Sequence, residues 1–302
     1  MKEINIFQVE LHCTKQNVVL SNTDLDLSAI SPSNHEEADT RMLLHTAQRS
    51  GSSIIKTVDS DVVVIAVGKF FSLNKDELWV EFGSGRSLEY IPIHVIAKAL
   101  GKQTCEAILF FHAFTGSDTT SSIAGHGKVT TWNTWMAYRE KFTPLFVRLC
   151  CAEELTEEDI RLLQELICLI FCRSSSIKKV NELRLYMHSK GTPFERLPPT
   201  LDALILHAKR AMLQAHIWYS SLVALIPHRD PEKYGWCKGS DGKFIPKWST
   251  LPPALSLKEH FISCKCKVRC NKGRCSCKKA NLRCTILCAC DYELCNESIG
   301  SA

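Results

Sequence analysis

The 302-residue chain contains no apolar run approaching the ~20 residues a membrane span needs, so it predicts no transmembrane helix and no membrane partner. Its first residues, MKEINIFQVELHCTK, lack the sustained apolar core of a secretory signal, which argues against an oxidising compartment and a disulfide framework. Net charge is also missing from most of the chain. The formal +5 sounds like a property of the whole, but removing the eight basic and three acidic residues of positions 264 to 302 from the totals of 37 and 32 leaves 29 of each. His207 and His216 are nine apart, not the three or four that put two ligands on one helical face, so they read as buried or hydrogen-bonded histidines.

What is present in excess is cysteine, in one place. The run CKCKVRCNKGRCSCKKANLRCTILCACDYELCN, from Cys264 to Asn296, holds nine of the 16 cysteines. They are Cys264, Cys266, Cys270, Cys275, Cys277, Cys284, Cys288, Cys290 and Cys295. Three of the gaps are a single residue, too short for an unstrained disulfide but suited to thiolates converging on one metal or on neighbouring metals. Nine is also an odd number for pairing. About three tetrahedral zinc ions need about twelve ligand positions, which nine sulfurs supply if six bind one ion each and three bridge two. Nine thiolates with three divalent ions carry a charge of about −3, so part of the local positive charge neutralises the cluster and only the remainder faces phosphate. The other seven cysteines (Cys13, Cys105, Cys150, Cys151, Cys168, Cys172, Cys237) lie in apolar contexts and read as ordinary buried thiols.

The spacing resembles a tesmin-type CXC domain, a zinc-thiolate module that binds DNA in chromatin proteins, and Cys295-Asn296 is similar to its closing signature. The resemblance implies DNA contacts from Lys265, Lys267, Arg269, Lys272, Arg274, Lys278, Lys279 and Arg283. Tandem members place a tyrosine just before the fourth cysteine, where this chain has Gly273-Arg274, and the last gap here is longer; as a single copy it is more similar to the lone CXC modules.

Upstream, residues 3 to 8 and 17 to 20 predict short strands, and Ser21 to Ser33 a polar loop. Asn34 with Glu37 makes a capping-box arrangement, and Ala38, Met42, Leu43, Leu44 and Ala47 an apolar face, predicting a helix over about 35–49. SSIIKTVDSDVVVIAV reads as a strand ending in the acidic turn Asp59-Ser60-Asp61, then a second apolar element. Strands are expected over Leu78 to Phe82 and Ser87 to Ile93, a helix to Gly101, and a buried helix over Gln103 to Phe114 that delivers Asp118 to a loop. Gly125, Gly127 and Lys128 form a turn able to bring backbone N–H groups and one ammonium close to a phosphate. The alternation predicts an α/β fold with a sheet covered by helices.

Singly, the acids have plain explanations: Glu36, Glu37 and Asp39 suit a helix's first turn, and Asp59, Asp61 and Asp118 suit solvated turns. Together they sit at the ends of apolar elements along one expected sheet edge, where α/β folds place ligand sites, and carboxylates gathered there repel unless cations hold them. The order EEAD, DSD, TGSD and a G-x-G-K turn resembles the PIN-like nuclease fold of the flap endonuclease and XPG group. That resemblance implies a Mg²⁺ or Mn²⁺ site for metal-assisted phosphodiester hydrolysis, with Glu37 and Asp39 in the first motif, Asp59 and Asp61 in the second, Asp118 in the third, and Lys128 gripping the duplex. Such nucleases begin with an aspartate-bearing strand and carry a further metal-binding aspartate before the first motif. Here only 33 residues precede the helix, and Asp24 and Asp26 lie in a Ser/Thr/Asn-rich loop, so the expectation is an N-terminally incomplete domain, either truncated or degenerate.

Residues 131 to 225 read as helical, with Thr156 and Asp159 in a capping box and Thr200 capping a later helix. From 226 to 262 the texture turns to Pro, Gly and Trp, an ordered connector whose aromatics Tyr234, Trp236, Phe244 and Trp248 either anchor it or stack on bases. The expected organisation is 1–130 PIN-like, 131–225 a helical extension, 226–262 the connector and 263–297 the zinc module. The combination is similar to multicopy proteins of mobile-element ancestry. The reading is a nuclear zinc-bearing DNA-binding protein with a degenerate nuclease domain; the alternative is an active structure-selective DNA endonuclease. A metal-buffering thiolate protein is disfavoured by the apolar residues Leu282, Ile286, Leu287, Tyr292 and Leu294 within the knot and by its tether to a large domain.

Overall fold

A computed structural model describes residues 11–13, 18–21, 24, 26–48, 50–250, 263–267, 270, 274–291 and 294–295. The strand expected over 3–8 lies outside them. Strands β1 (Leu11–Cys13) and β2 (Val19–Ser21) pair antiparallel, and Val19 closes a small apolar cluster with Ile30 and Leu44. Helix α1 spans Ala38–Thr46 and is shorter than its sequence predicts, with Glu37 at the N-cap and no side-chain cap bond. The capping box fails for a non-local reason. The Asn34 amide is committed to a distant peptide: it donates to Ile226 O at 3.0 Å and accepts from Ile226 N at 2.7 Å.

Strand β3 (Ser52–Thr57) runs straight into the Asp59 turn, and the second apolar element is a helix, α2 (Ser60–Lys69). Asp59 caps it, its carboxylate accepting from Asp61 N at 2.8 Å. A helical crossover permits a parallel return, and β4 (Glu77–Phe82) pairs parallel with β3 while β5 (Glu89–Pro92) pairs antiparallel with β4. Ile55, Leu78 and Val80 form the buried face of this three-stranded sheet. Helix α3 (Ile93–Leu100) follows at once, then α4 (Lys102–Thr115). Gly68 lets α2 and α4 approach closely, since a Cβ there would lie 2.5 Å from Leu109 Cδ2.

Helices α5 (Lys128–Ala137) and α6 (Arg139–Cys151) complete an aromatic core with α4. Phe110 packs on Phe114 and Phe146 with ring centroids 5.5 and 5.4 Å apart, and Trp135 sits 4.9 Å from Phe111 while donating Nε1–H to Thr143 Oγ1 at 3.1 Å. Then come α7 (Glu157–Phe171), α8 (Val180–Ser189) and α9 (Leu201–Tyr219), the last capped as expected by Thr200, whose hydroxyl accepts from Ala203 N at 3.3 Å. Strands β6 (Trp236–Lys238) and β7 (Phe244–Pro246) form a hairpin, and a single turn, α10 (Ser276–Lys279), lies in the cysteine run. The chain is thus mixed α/β with small sheets and a cysteine-rich C-terminal cluster.

Two compact units are interleaved along the sequence. One comprises Met1–Ile123, Gly127–Thr156 and His207–Lys247; the other comprises Ala124–His126, Glu157–Leu206 and Trp248–Ala302. The first contains the sheet, the aromatic core and the hairpin. In the second, α7 and α8 bury Leu163, Leu166, Ile167, Val180 and Leu183, and Asn181 Oδ1 accepts from Leu201 N at 2.9 Å.

Candidate functional site

Seven of the nine clustered cysteines are buried, and Cys266 and Cys288 pack against them. None forms a disulfide. Sulfur–sulfur distances run from 3.5 Å (Cys277–Cys288) through 3.6 Å (Cys264–Cys270 and Cys264–Cys290) and 3.7 Å (Cys270–Cys284) to 3.9 Å (Cys275–Cys284). A disulfide is ~2.05 Å long, whereas the edge of a tetrahedron with ~2.3 Å zinc–sulfur bonds is ~3.8 Å. These contacts are non-bonded and near a tetrahedron's edge, as thiolates gathered to share metal ions require. Three sets of four lie within 4.8 Å of one another: Cys264, Cys277, Cys284 and Cys288; Cys264, Cys270, Cys284 and Cys290; Cys264, Cys266, Cys270 and Cys275. These can hold metal ions, and soft thiolates suit zinc.

The single-residue gaps behave as their geometry requires. Cys264 and Cys266 meet in one set, while Cys275/Cys277 and Cys288/Cys290 each divide between two sets. Backbone N–H groups of Cys264, Cys270 and Thr285 point at the sulfurs of Cys288, Cys295 and Cys288, at 3.5, 3.4 and 3.4 Å. Such donors favour thiolate over thiol. Among the scattered cysteines, burial pushes Cys105 up to about 11 and Cys168 up to about 12, as inert core thiols require, and Cys150 is buried as well; Cys151 is exposed and Cys172 and Cys237 are half-buried, so the expectation of buried thiols fails at these three.

The basic residues around the cluster are not equivalent. Lys265, Lys267, Arg274, Lys279 and Arg283 are exposed. Lys278 is half-buried and its ammonium donates to Cys270 O at 3.1 Å. Arg269 and Lys272 lie outside the described residues.

The carboxylates gather in the first unit, delivered by the N-terminus of α1, the turn between β3 and α2, and the loop after α4. Desolvation of the Asp39 carboxyl, together with the charges of Asp59, Asp61 and Asp118, pushes its pKa up to about 6. Glu37 is raised as well, by desolvation and by Asp39, Asp61, Asp118 and Glu36. A helix N-terminus alone would hold acids down, so at Asp39 desolvation and mutual repulsion outweigh the macrodipole. The five expected residues thus share one electrostatic field. They do not converge as the sulfurs do: among the described residues, the sets of ligand atoms within 4.8 Å are built from cysteines.

Two neighbours complete this region. His112, on α4, donates Nε2–H to Asp61 Oδ1 at 2.8 Å, in a pair that is 10% and 15% exposed. It escaped the sequence reading because it is one ring in the apolar run Phe110-Phe111-His112-Ala113-Phe114; a lone polar residue there was the available signal. Lys128 is at the start of α5, as expected, but its ammonium is turned onto the C-terminal end of α4, donating to His112 O (3.2 Å), Thr115 Oγ1 (3.3 Å) and Gly116 O. Desolvation lowers its pKa, against the opposing charge of Asp61. His207 and His216 meet carbonyl oxygens, those of Phe114 at 2.8 Å and Pro227 at 3.4 Å. Comparison with known proteins returns no matching family model, no matching curated sequence and no matching solved structure.

Proposed function

We propose that the chain is a zinc-bearing DNA-binding protein in which a CXC-like cluster docks on DNA and a PIN-like domain serves as a degenerate nuclease scaffold. The observation that carries the reading is the sulfur arrangement. Cys264, Cys270 and Cys284 are the only cysteines that recur between the four-sulfur sets, and they are the natural bridges for a nine-thiolate, three-zinc cluster. Cys264 and Cys284 with Cys277 and Cys288 hold one ion, and Cys264 and Cys270 with Cys266 and Cys275 hold a second. Cys270 and Cys284 remain for a third, with Cys290 and with Cys295, whose sulfur accepts from Cys270 N. Three bridges and six terminal ligands then use every sulfur. Zinc supplies structure here by fixing a segment with little other core. The exposed cations Lys265, Lys267, Arg274, Lys279 and Arg283 form the face offered to phosphate, in a nuclear protein whose architecture is similar to that of mobile-element products.

Metal analysis of the full chain is expected to give about three zinc ions per molecule, and duplex binding should weaken steeply with salt and vanish on truncation after Ser263. One zinc or none, or salt-independent binding, would sink the reading. The raised pKa of Asp39, caused by desolvation first and then by the charges of Asp59, Asp61 and Asp118, favours a second reading, an active endonuclease. In it Asp59, Asp61 and Asp118 hold Mg²⁺ or Mn²⁺ while Glu37 and Asp39 complete the shell directly or through water. Mn²⁺-dependent cleavage of flap or hairpin DNA that disappears in Asp59→Asn would decide for it.

A further inference from the structure

The connector divides its aromatic residues between two uses. Tyr234 is an anchor: it is buried, donates its hydroxyl to Glu153 O at 3.0 Å, and lies under Arg229, whose guanidinium also holds Cys151 O and Ala152 O at 2.7 and 2.8 Å. Phe244 and Ile245, on β7, are 42% and 45% exposed. They stand on a fixed base. Arg210 of α9 donates to Gly235 O at 3.0 Å, and Lys247 N donates to the same carbonyl at 2.9 Å, so the open end of the hairpin is pinned to a helix.

Cations surround the displayed ring. Lys243 and Lys247 bracket Phe244 and Ile245 along the strand, and Lys238 lies across from Phe244 in the ladder with its ammonium 5.8 Å from the ring centroid. Lys233 precedes the hairpin, and all four lysines are exposed. The opposing acids hold them weakly: Lys238–Glu232 is 4.0 Å and Lys243–Asp241 is 3.9 Å, both between exposed side chains. From 233 to 247 the sequence has four lysines and one acid. A polyanion fits that balance, and an aromatic ring amid it stacks only on a base that is unpaired.

We propose that the β6–β7 hairpin is a platform for single-stranded DNA, with Phe244 stacking on a base and Lys238, Lys243 and Lys247 contacting the flanking phosphates. The hairpin shares no residue with the cysteine cluster, and the proposal does not rest on the cluster's binding duplex DNA.

The test uses the full zinc-loaded chain and fluorescence anisotropy with a labelled oligothymidylate of about 15 nucleotides, a matched duplex, an oligouridylate and anionic phospholipid vesicles. Phe244→Ala should weaken oligothymidylate binding by about 5- to 100-fold and leave duplex binding within about twofold, while Phe244→Trp keeps it. The triple change Lys238→Gln, Lys243→Gln, Lys247→Gln should lower the salt slope for the single strand by about 2. Photocrosslinking with 5-iododeoxyuridine in the oligonucleotide should map to residues 236–247. Unchanged oligothymidylate affinity in Phe244→Ala would overturn the proposal, as would equal losses on single strand and duplex. A preference for oligouridylate would reassign the platform to RNA, and Phe244-dependent vesicle binding without oligonucleotide binding would reassign it to a membrane surface; either overturns the assignment to DNA.

Discussion

His112 Nε2 and Asp61 Oδ1 stand 2.8 Å apart, joining the interior of α4 to the first turn of α2 and fixing which oxygen of Asp61 is left for the surrounding carboxylate group. The proton lies on Nε2, because a carboxylate can only accept. Replacing His112 with Leu leaves a mostly buried carboxylate without its donor, next to Asp39 and Glu37. We expect a loss of about 1–2 kcal/mol in urea unfolding, with His112→Gln, which retains an N–H donor, recovering part of it.

Asp39 gives the protein a pH dependence of definite sign. Its pKa rises from 3.8 unfolded to about 6 folded, so the folded state binds this proton more tightly. Stability is greatest with the proton on, is lost as pH rises from about 4 to about 6, and stays lower above that. The carboxyl is partly solvated, so screening reduces the effect to about 1 kcal/mol. Asp39→Asn should therefore be more stable than the parent at pH 7 and equal to it near pH 4, as read by urea unfolding at the two pH values. On the endonuclease reading alone, added Mn²⁺ should narrow the gap at pH 7.

Gly116 turns the chain out of α4 toward Asp118 at φ +117° and ψ 129°, and a Cβ there would lie 2.9 Å from Ser122 Cα and 3.1 Å from Ser122 N. Backbone cannot yield as a flexible side chain can. Gly116→Ala should cost about 2–3 kcal/mol in thermal or denaturant unfolding.

Lys278 and Lys279 are adjacent and should respond differently. Lys279→Gln removes an exposed cation and should lower the salt slope of duplex binding by about 1, with zinc content unchanged. Lys278→Gln removes the ammonium that holds Cys270 O. It should speed zinc loss to a chelator while altering the slope less, as followed with a colorimetric zinc indicator.

Local chemistry in the sequence was enough to place the β3 strand and the acidic turn at Asp59, because β-branched residues followed by an aspartate turn need no distant partner; that the apolar element after the turn is a helix capped by Asp59 was not legible, since the run VVVIAV fits a strand or a helix. Local chemistry also placed the end of α4 near Gly116 and the convergence of the nine sulfurs, but which four share a set is not legible in the spacing. What was hidden depends on contacts far apart in the chain. Asn34 looked like a cap because its partner, Ile226, is 192 residues away. Lys128 looked like a phosphate ligand because nothing local shows the carbonyl ends of α4 waiting for it. Among the connector's aromatics, Tyr234 finds Glu153 O and is drawn in, while Phe244, with no polar tip to anchor, stays exposed.

Cys264 belongs to all three four-sulfur sets. Sites that share a ligand cannot fill one at a time without disturbing each other: the first ion positions a sulfur for the next, and removing one slackens the rest. If zinc fills these sets, loading would be cooperative, with half-filled forms scarce, and the cluster would assemble over a narrow span of free zinc. The protein's grip on its partner would then answer to the metal supply of the cell in an almost all-or-none way.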